Sequence, residues 1–233
     1  MSSRISLLIA LGLLLTLTTA DARAQEAEED SLRRAFAGIN LAGALPTGAF
    51  KEYVETGLGL GGYFLYSFDQ RGAFGLRFDL SWVQYGSETE RRTLIPRILV
   101  DVTTRNYIYS VLAGPQLTLR SGSVSPYLNA GLGFSYFETR SSVSGTSLLD
   151  EDFASTRHFW DTTFAWAGGG GICVAVLRDI SFEFAARYVW NGQVSYLREG
   201  SITEELDGSI SFTPIQSETN FVLLQLGISL AVL

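Results

Sequence analysis

The segment Ile180-Ser181-Phe182-Glu183-Phe184-Ala185-Ala186-Arg187-Tyr188-Val189-Trp190-Asn191 decides the fold of this chain. Its even-numbered residues are all apolar, whereas its odd-numbered residues include the charged side chains Glu183 and Arg187. Alternation with a period of two is typical of a β-strand with two different faces. The apolar face ends in Tyr188 and Trp190, and such side chains favour a membrane–water boundary. We therefore expect the apolar face to contact lipid and the charged face to line a closed lumen.

Seven further segments alternate in the same way. They lie near residues 35–45, 57–68, 73–84, 105–119, 125–137, 162–177 and 220–232. Each reaches the roughly 9–11 residues that a tilted strand needs to cross a bilayer. The face opposite the apolar one is dominated by Gly, Ala, Ser and Asn, which suits the narrow interior of an eight-stranded barrel. A soluble barrel would keep its large apolar residues inside, so the pattern favours an all-β, eight-stranded antiparallel up-and-down transmembrane β-barrel.

The connections between these segments alternate in length. Three are short and rich in turn-forming residues, at 69–72, 120–123 and 178–179. The others are long, at 46–56, 86–104, 138–161 and 192–217. Within them, residues 94–102 and 209–215 alternate as well, so we expect strands to extend there as hairpins above the membrane. Strict alternation of short and long connections is typical of outer-membrane barrels, in which short turns face the periplasm and long loops face the exterior.

The N-terminus has the features of a secretory signal peptide. Arg4 precedes a short apolar run over residues 5–15, and Ala22-Arg23-Ala24 matches the small-residue cleavage pattern. We therefore expect residues 1–24 to be removed, residues 25–34 to form a disordered periplasmic lead-in, and residues 35–233 to form the barrel domain. The remaining sequence contains no apolar run as long as a transmembrane helix, and a formal net charge of −7 argues against a nucleic-acid partner.

Aromatic residues cluster at the ends of the predicted strands from which the long connections leave. We expect them to form a girdle at the extracellular membrane boundary. The predicted girdle consists of Trp82, Tyr107, Tyr136, Trp160, Trp166, Tyr188 and Trp190. Tyr85 and Phe137 fall at the same level, and we expect them to belong to the girdle as well.

Four charged residues fall on the predicted inner faces of two strands. They are Arg77 and Asp79 on the third strand, and Glu183 and Arg187 on the seventh. Because buried charges must be paired and hydrogen-bonded, we expect an ion-pair network across the lumen with a structural role. A gate or polar pathway is the alternative, although side chains fill the interior of a barrel of this size.

Two short segments resemble those of a known family. They are Gly43-Ala44-Leu45-Pro46-Thr47-Gly48 at the end of the first strand and Ala130-Gly131-Leu132-Gly133-Phe134 in the fifth. With the strand pattern, they make the mature chain resemble the small eight-stranded outer-membrane β-barrels, which include OmpA-type transmembrane domains and opacity-like proteins. The resemblance implies the outer membrane of a Gram-negative bacterium, contact with outer-membrane lipids and lipopolysaccharide, and insertion by the barrel-assembly machinery. Val232 occupies the final outward position, where this family often has a Phe.

Three functional hypotheses follow. The first is a non-enzymatic barrel that is structural or that binds an extracellular protein partner through its long loops. The second is a narrow channel for small or hydrophobic solutes. The third, less favoured, is a lipid A-modifying enzyme, which would need His158, the only histidine, beside a partner such as Ser155 or Asp161.

The sequence predicts no catalytic, cofactor or metal site. Residues 57–62 match the G-x-G-x-x-G pattern of nucleotide-binding sites. They continue into a predicted strand and not into a helix whose N-terminus could hold a phosphate, so the match predicts small residues in a crowded barrel.

Overall fold

A computed structural model describes residues 34–69, 71–95, 98–145, 154–196, 202–204, 210–212 and 215–232. The expected signal peptide, residues 1–24, and residues 25–33 of the expected lead-in lie outside the described residues. Within the described ranges, no helix is both long enough and apolar enough to span a membrane.

The chain forms a closed antiparallel barrel of eight strands. In chain order all the described strands are β1 (Ala35–Pro46), β2 (Gly57–Ser67), β3 (Phe74–Ile95), β4 (Ile98–Thr118), β5 (Val124–Gly145), β6 (Ala154–Ala175), β7 (Ile180–Asn191), β8 (Gln193–Tyr196), β9 (Ile202–Glu204), β10 (Ile210–Phe212), β11 (Ile215–Glu218) and β12 (Phe221–Ala231). Among the described residues, four short strands, β8 to β11, lie outside the barrel. The order around the barrel is β1–β12–β7–β6–β5–β4–β3–β2. The predicted fold is therefore confirmed.

The first and last barrel strands close the ring. Their ladder runs from Phe36 opposite Ala231 to Pro46 opposite Phe221. At the end of the barrel with the short connections, Gly72 has φ 63° in a tight turn, a conformation that L-residues with a side chain rarely adopt. We call this end the turn end and the opposite end the loop end.

Four neighbouring strands continue past the other four at the loop end. β3 to β6 contain 21 or 22 residues each, whereas β1, β2, β7 and β12 contain 11 or 12. At a rise of about 3.4 Å per residue, ten additional residues extend a strand by roughly 34 Å. We call this extension the wall; it comprises residues 86–95, 98–106, 139–145 and 154–159.

The wall occupies most of the long connections at 86–104 and 138–161. It includes residues 94–95 and 98–102, where the sequence predicts that strands extend as a hairpin, whereas the extension of β5 and β6 into residues 138–161 is not predicted. β3 and β4 remain paired as far as Ile95 opposite Ile98, with irregularities between Gln84 and Gly86 and between Thr93 and Ile95. Strand pairing also enters the fourth long connection, where β8 pairs with β11 and β9 with β10.

The two faces of the barrel are distributed as the sequence predicts. Large apolar side chains point outward, and Ile39 and Leu58 are 73% and 76% exposed. Polar side chains from most barrel strands point inward and are buried, among them Asn40, Gln116 and Gln225. The first long connection contains a short 3-10 helix, Gly48–Glu52, whose buried residue is Phe50.

Candidate functional site

The lumen contains a polar layer built from two strands that stand opposite each other. β3 and β7 are four strands apart in either direction around the barrel. Arg77 Nη1 lies 2.9 Å from Glu183 Oε1, and Arg77 Nε lies 2.9 Å from Asp79 Oδ1. Arg187 Nη1 also lies 2.9 Å from Asp79 Oδ1. The structure thus brings together all four charged residues singled out in the sequence, with two cations balancing two anions.

Neutral polar side chains complete this layer around Arg77. The Nη1 group of Arg77 also donates to Oε1 of Gln116 at 3.1 Å. The hydroxyl of Tyr127 donates to Oε1 of Glu183 in a short hydrogen bond. The Tyr63 ring lies with its centroid 3.6 Å from the guanidinium carbon of Arg77, which is close enough for a cation–π interaction. The polar layer therefore spans the lumen from β2 and β3 to β5 and β7.

Glycine makes room for this layer. A Cβ at Gly38 would lie 2.3 Å from Cε1 of Tyr63, and a Cβ at Gly61 would lie 2.4 Å from Oδ1 of Asn40. Contacts this short do not occur for a real Cβ atom, so any side chain at these positions would clash. Both positions therefore require glycine. Asn40 Oδ1 in turn accepts a hydrogen bond from Gln225 Nε2 at 3.0 Å. The small residues predicted for the inner face thus leave space for the larger polar ones.

An apolar layer closes the lumen at the loop end. The short helix after β1 inserts Phe50, which is 1% exposed. Its ring packs edge-on against Tyr85 and Tyr196, with centroids 5.6 and 5.4 Å away, and against Phe137 at 6.5 Å. Burial of four aromatic rings in one cluster excludes water from this end of the barrel. We call this cluster the aromatic plug.

The aromatic plug overturns two expectations. Tyr85 and Phe137 do not belong to an outer girdle, because they lie on the same strand faces as the lumen residues and are 6% and 1% exposed. The inner face is also less polar at the loop end than the sequence predicted. Sequence reasoning missed Phe50 and Tyr196 because both lie in long connections, where alternation does not reveal orientation.

The predicted girdle residues lie on the outer face in stacked groups. The Trp82 and Tyr107 rings are 5.8 Å apart, and the Tyr136 and Trp160 rings are 6.2 Å apart. The remaining three residues, on β6 and β7, form a separate group. In that group, Trp190 stacks on Trp166 at 3.8 Å and contacts Tyr188 at 4.3 Å. Their level relative to the membrane remains a prediction.

One turn carries a carboxylate with a shifted pKa. At the turn end, the backbone amides of Phe74 and Ala73 donate to the two carboxylate oxygens of Asp69 at 2.8 and 3.0 Å. These hydrogen bonds favour the ionised form and lower the pKa of Asp69 below its usual range.

An open cleft lies at the loop end, between the first long connection and the wall. Its volume is about 860 Å³, and it is lined by residues 51–56, Leu58, Trp82, residues 84–87 and Asn106. Asn106 is buried and accepts a hydrogen bond from the Thr139 hydroxyl at 2.7 Å, which fixes one side of the cleft.

Of the three residues named for an enzymatic site, only the side chain of Asp161 is described. The carboxylate of Asp161 accepts hydrogen bonds from the backbone amides of Thr162 and Ser195 at 2.8 and 2.9 Å. The side chains of His158 and Ser155 lie outside the described part of the structure. No cluster of three or more His, Cys, Asp or Glu residues that could hold a metal occurs among the residues described.

Comparison with known proteins agrees with this architecture. The model of the outer membrane protein beta-barrel domain family matches residues 10–211. Similar solved structures include Ail, the attachment invasion locus protein of Yersinia pestis, in complex with the heparin analogue sucrose octasulfate. It is 14% identical, with a TM-score of 0.46 over 85% of this chain and 97% of Ail.

Two further solved structures have comparable similarity. Neisserial surface protein A is 13% identical, with a TM-score of 0.49 over 85% of this chain and 97% of its own. The outer membrane protein OprG from Pseudomonas aeruginosa is 16% identical, with a TM-score of 0.48 over 85% and 95%. No curated protein matches the chain.

Proposed function

The chain belongs to the outer membrane protein beta-barrel domain family and is a protein of the Gram-negative outer membrane; from this premise we propose that it is a non-enzymatic barrel that binds partners outside the cell through its wall. The observation that carries this proposal is the asymmetry of the strands. Only β3 to β6 of the barrel strands extend to 21 or 22 residues, on one side of the loop end. A barrel that served only to span the membrane would not need this extension.

The wall offers a strand edge that a partner can reach. β2 pairs with β3 only as far as Leu58 opposite Gln84. Beyond that point, β3 continues to Ile95 with β4 on one side and no barrel strand on the other among the residues described. Exposed strand edges bind extended peptides by adding a strand to the sheet. The cleft beside residues 84–87 adds a concave surface next to this edge.

The closed lumen argues against the alternative of a channel. Arg77 and Glu183 are each 1% exposed in the polar layer, and Phe50 is 1% exposed in the aromatic plug. A solute would have to displace both layers in order to cross. We expect the protein to be silent in planar lipid bilayers, and regular single-channel steps would instead support the channel.

Removal of the wall tests the proposal directly. Glu88, Thr104, Ser141 and Thr156 lie opposite one another across β3 to β6. A variant that lacks residues 89–103 and 142–155, with Asn-Gly joining each pair of ends, keeps the barrel and loses most of the wall. Cells that display this variant should adhere less to immobilised extracellular-matrix proteins than cells that display the wild type.

A matched control removes a different loop-end segment. Tyr196 pairs with Ile215, so deletion of residues 197–214 with the same two-residue turn spares the wall and the aromatic plug. This control should adhere like the wild type. Equal adhesion by wild-type and wall-less cells, at equal surface levels of heat-modifiable protein, would refute the proposal.

The proposal also excludes lipid modification. Overproduction of the protein should leave the acylation of lipid A unchanged in mass spectra. A modification that disappears in His158→Ala would restore the enzymatic hypothesis.

A further inference from the structure

The open cleft at the loop end has two fixed sides. Its first side, residues 51–56, follows Phe50 of the aromatic plug, and the backbone amides of Tyr53 and Val54 donate to the Phe50 carbonyl at 3.2 and 3.0 Å. Its second side is β3 at residues 84–87, beside β4. At about 860 Å³, the cleft has the volume of a small-ligand site. A cleft that is already formed loses little conformational entropy when it binds.

The floor of the cleft is an amide that a glycine leaves open. Asn106 lines the cleft but is only 4% exposed, and its Oδ1 accepts the hydrogen bond from the Thr139 hydroxyl at 2.7 Å. The amide nitrogen Nδ2, with its two N–H donors, is therefore left to bind a ligand. A Cβ at Gly86 would lie 2.9 Å from this nitrogen, so a side chain at position 86 would cover it. The cleft thus offers a hydrogen-bond donor held in a fixed position.

The irregularity of β3 beside this amide restricts the kind of ligand. The register of β3 and β4 shifts between Gln84 and Gly86. Such bulges break the regular ladder and often lie next to functional sites, where they redirect side chains. A partner that adds a strand needs a regular edge, and β3 is regular from Glu88 to Thr93, beyond the cleft. The cleft itself is therefore suited to a compact ligand and not to an extended peptide.

The side chains that line the cleft combine aromatic faces with polar groups. Tyr53 and Trp82 are each 37% exposed, and the electron-rich face of an aromatic ring packs well against the C–H groups of a sugar ring. Glu52 and Glu55 are exposed, and each carboxylate has two oxygens that accept hydrogen bonds from neighbouring hydroxyl groups. With the donor of Asn106, the cleft matches a ligand whose hydroxyl groups both donate and accept hydrogen bonds.

The charge of the cleft disfavours an acidic ligand. Its charged lining residues are one cation, Lys51, and two anions, Glu52 and Glu55, so its net charge is −1. The whole chain carries a formal net charge of −7. A ligand with sulfate or carboxylate groups would meet carboxylates in the cleft, and the juxtaposition of like charges opposes binding. The ligand class that fits is therefore uncharged as well as rich in hydroxyl groups.

We propose that the cleft binds an uncharged oligosaccharide carried by an extracellular glycoprotein. A sugar ring packs on Trp82 or Tyr53, one sugar oxygen accepts a hydrogen bond from Asn106 Nδ2, and further hydroxyl groups donate to the carboxylates. The inference rests on the proposed function only for the carrier of the sugar, which is the extracellular partner. The wall-less variant keeps residues 51–56, 84–87 and 106, so it should bind the free sugar like the wild type. Loss of adhesion and loss of sugar binding are therefore distinguishable.

The test uses the refolded full-length barrel in a detergent without a sugar headgroup, because an alkyl glycoside would compete for the cleft. The probes are neutral trisaccharides of glycoproteins that end in galactose, mannose or N-acetylglucosamine. Each is also supplied with one sulfate, and a neutral trisaccharide of a bacterial polysaccharide is included. Isothermal titration calorimetry measures the dissociation constants. The wild type should bind at least one neutral glycoprotein sugar with a Kd below about 1 mM and its sulfated form at least about tenfold more weakly.

Two variants test the residues of the cleft. Gly86→Ala places a methyl group against the Asn106 amide and should weaken binding of the neutral sugar at least about tenfold. The matched control Gly43→Ala, whose Cβ meets nothing within 4 Å, should bind like the wild type. Glu52→Gln/Glu55→Gln changes only exposed side chains and leaves Lys51 as the one charge in the cleft, so the sulfated sugar should bind at least as tightly as the neutral one. Heat-dependent gel mobility reports whether each variant is folded.

Several results would overturn the inference. One is the absence of binding to every neutral glycoprotein sugar, or binding of the bacterial trisaccharide alone. Another is an unchanged affinity in folded Gly86→Ala, or an equal loss in Gly43→Ala. If Gly86→Ala does not fold, a preference for the neutral sugar that persists in Glu52→Gln/Glu55→Gln decides against the cleft. Saturable binding of an extended peptide in place of the sugars would mean that the cleft holds a protein segment.

Discussion

The ion pair between Arg77 and Glu183 should dominate the stability of the polar layer. Arg77→Met removes a cation that lies 2.9 Å from both Asp79 and Glu183. Asp79 keeps Arg187 at 2.9 Å, but Glu183, at 1% exposure, then has no cation among the contacts described. Breaking a buried ion pair on one side costs about 3–5 kcal/mol, because the remaining charge is buried and unpaired. We expect Arg77→Met to reduce the free energy of unfolding by that amount.

Neutralising the partner should restore most of this loss. In Arg77→Met/Glu183→Gln, both charges are gone, and the glutamine oxygen can still accept the hydrogen bond from Tyr127. Replacing both members of a buried pair is often close to neutral. The double variant should therefore be more stable than Arg77→Met alone, with a coupling energy of about 2 kcal/mol or more.

Urea unfolding in lipid vesicles, followed by tryptophan fluorescence, measures these free energies. The comparison is valid if all four proteins of the cycle show the same denaturant slope. Additive effects of the two single substitutions, within about 0.5 kcal/mol, would mean that the pair does not couple the two sides of the barrel. The ion-pair network would then have no structural role.

Three further predictions concern the aromatic plug, the space around the polar layer and a turn. Phe50→Ala should reduce the free energy of unfolding by about 3–5 kcal/mol in the same vesicle assay, because it empties the centre of a buried cluster. Lys51→Ala in the same helix should change this free energy by less than about 0.5 kcal/mol. Equal effects of the two substitutions would mean that the aromatic plug is not packed. Gly38→Ala should cost about 1–3 kcal/mol, since its Cβ would come 2.3 Å from an aromatic carbon. Gly43→Ala on the same strand meets nothing within 4 Å and should be tolerated, so similar losses for both glycines would refute the crowding. The lowered pKa of Asp69 means that its hydrogen bonds stabilise the fold fully above the ordinary Asp pKa of about 3.9 and progressively less as pH falls through the lower folded pKa. The difference in the free energy of unfolding between wild type and Asp69→Asn should therefore be constant from pH 7 to 5 and shrink toward pH 3. A difference that does not change with pH would contradict this prediction.

The barrel itself could be predicted because alternation reports orientation directly. Each strand residue points to one of two faces, so Glu183 and Arg187 could be assigned to the lumen from their spacing alone. Pairing across the barrel followed from the cost of burying charge. That Arg77 contacts both carboxylates, however, depends on how side chains from opposite strands meet, and no local pattern encodes it.

The sequence pattern predicts neither the aromatic plug nor the full length of the wall, for different physical reasons. Phe50 lies in a short helix within a connection, where the direction of a side chain depends on tertiary contacts. Tyr85 and Phe137 lie at the level of the predicted girdle but on the inner face, because the face of a strand residue depends on its parity and not on its height. Residues 94–102 alternate and predict part of the wall, whereas residues 139–145 and 154–159 show no comparable apolar alternation, so the sequence does not predict that β5 and β6 continue as far.

The contacts inside the lumen have a consequence for biogenesis. Asn40 of β1 hydrogen-bonds to Gln225 of β12, 185 residues later, and Arg77 pairs with Glu183, 106 residues later. Phe50 likewise packs on Tyr196, which follows β7. In a chain that has not yet added its last strands, Arg77 therefore lacks its partner Glu183, and the ring of Phe50 faces an open groove without its partner Tyr196. The final strands supply the partners that bury these groups. Proteases and chaperones in the periplasm can therefore distinguish a truncated or stalled chain from a complete barrel.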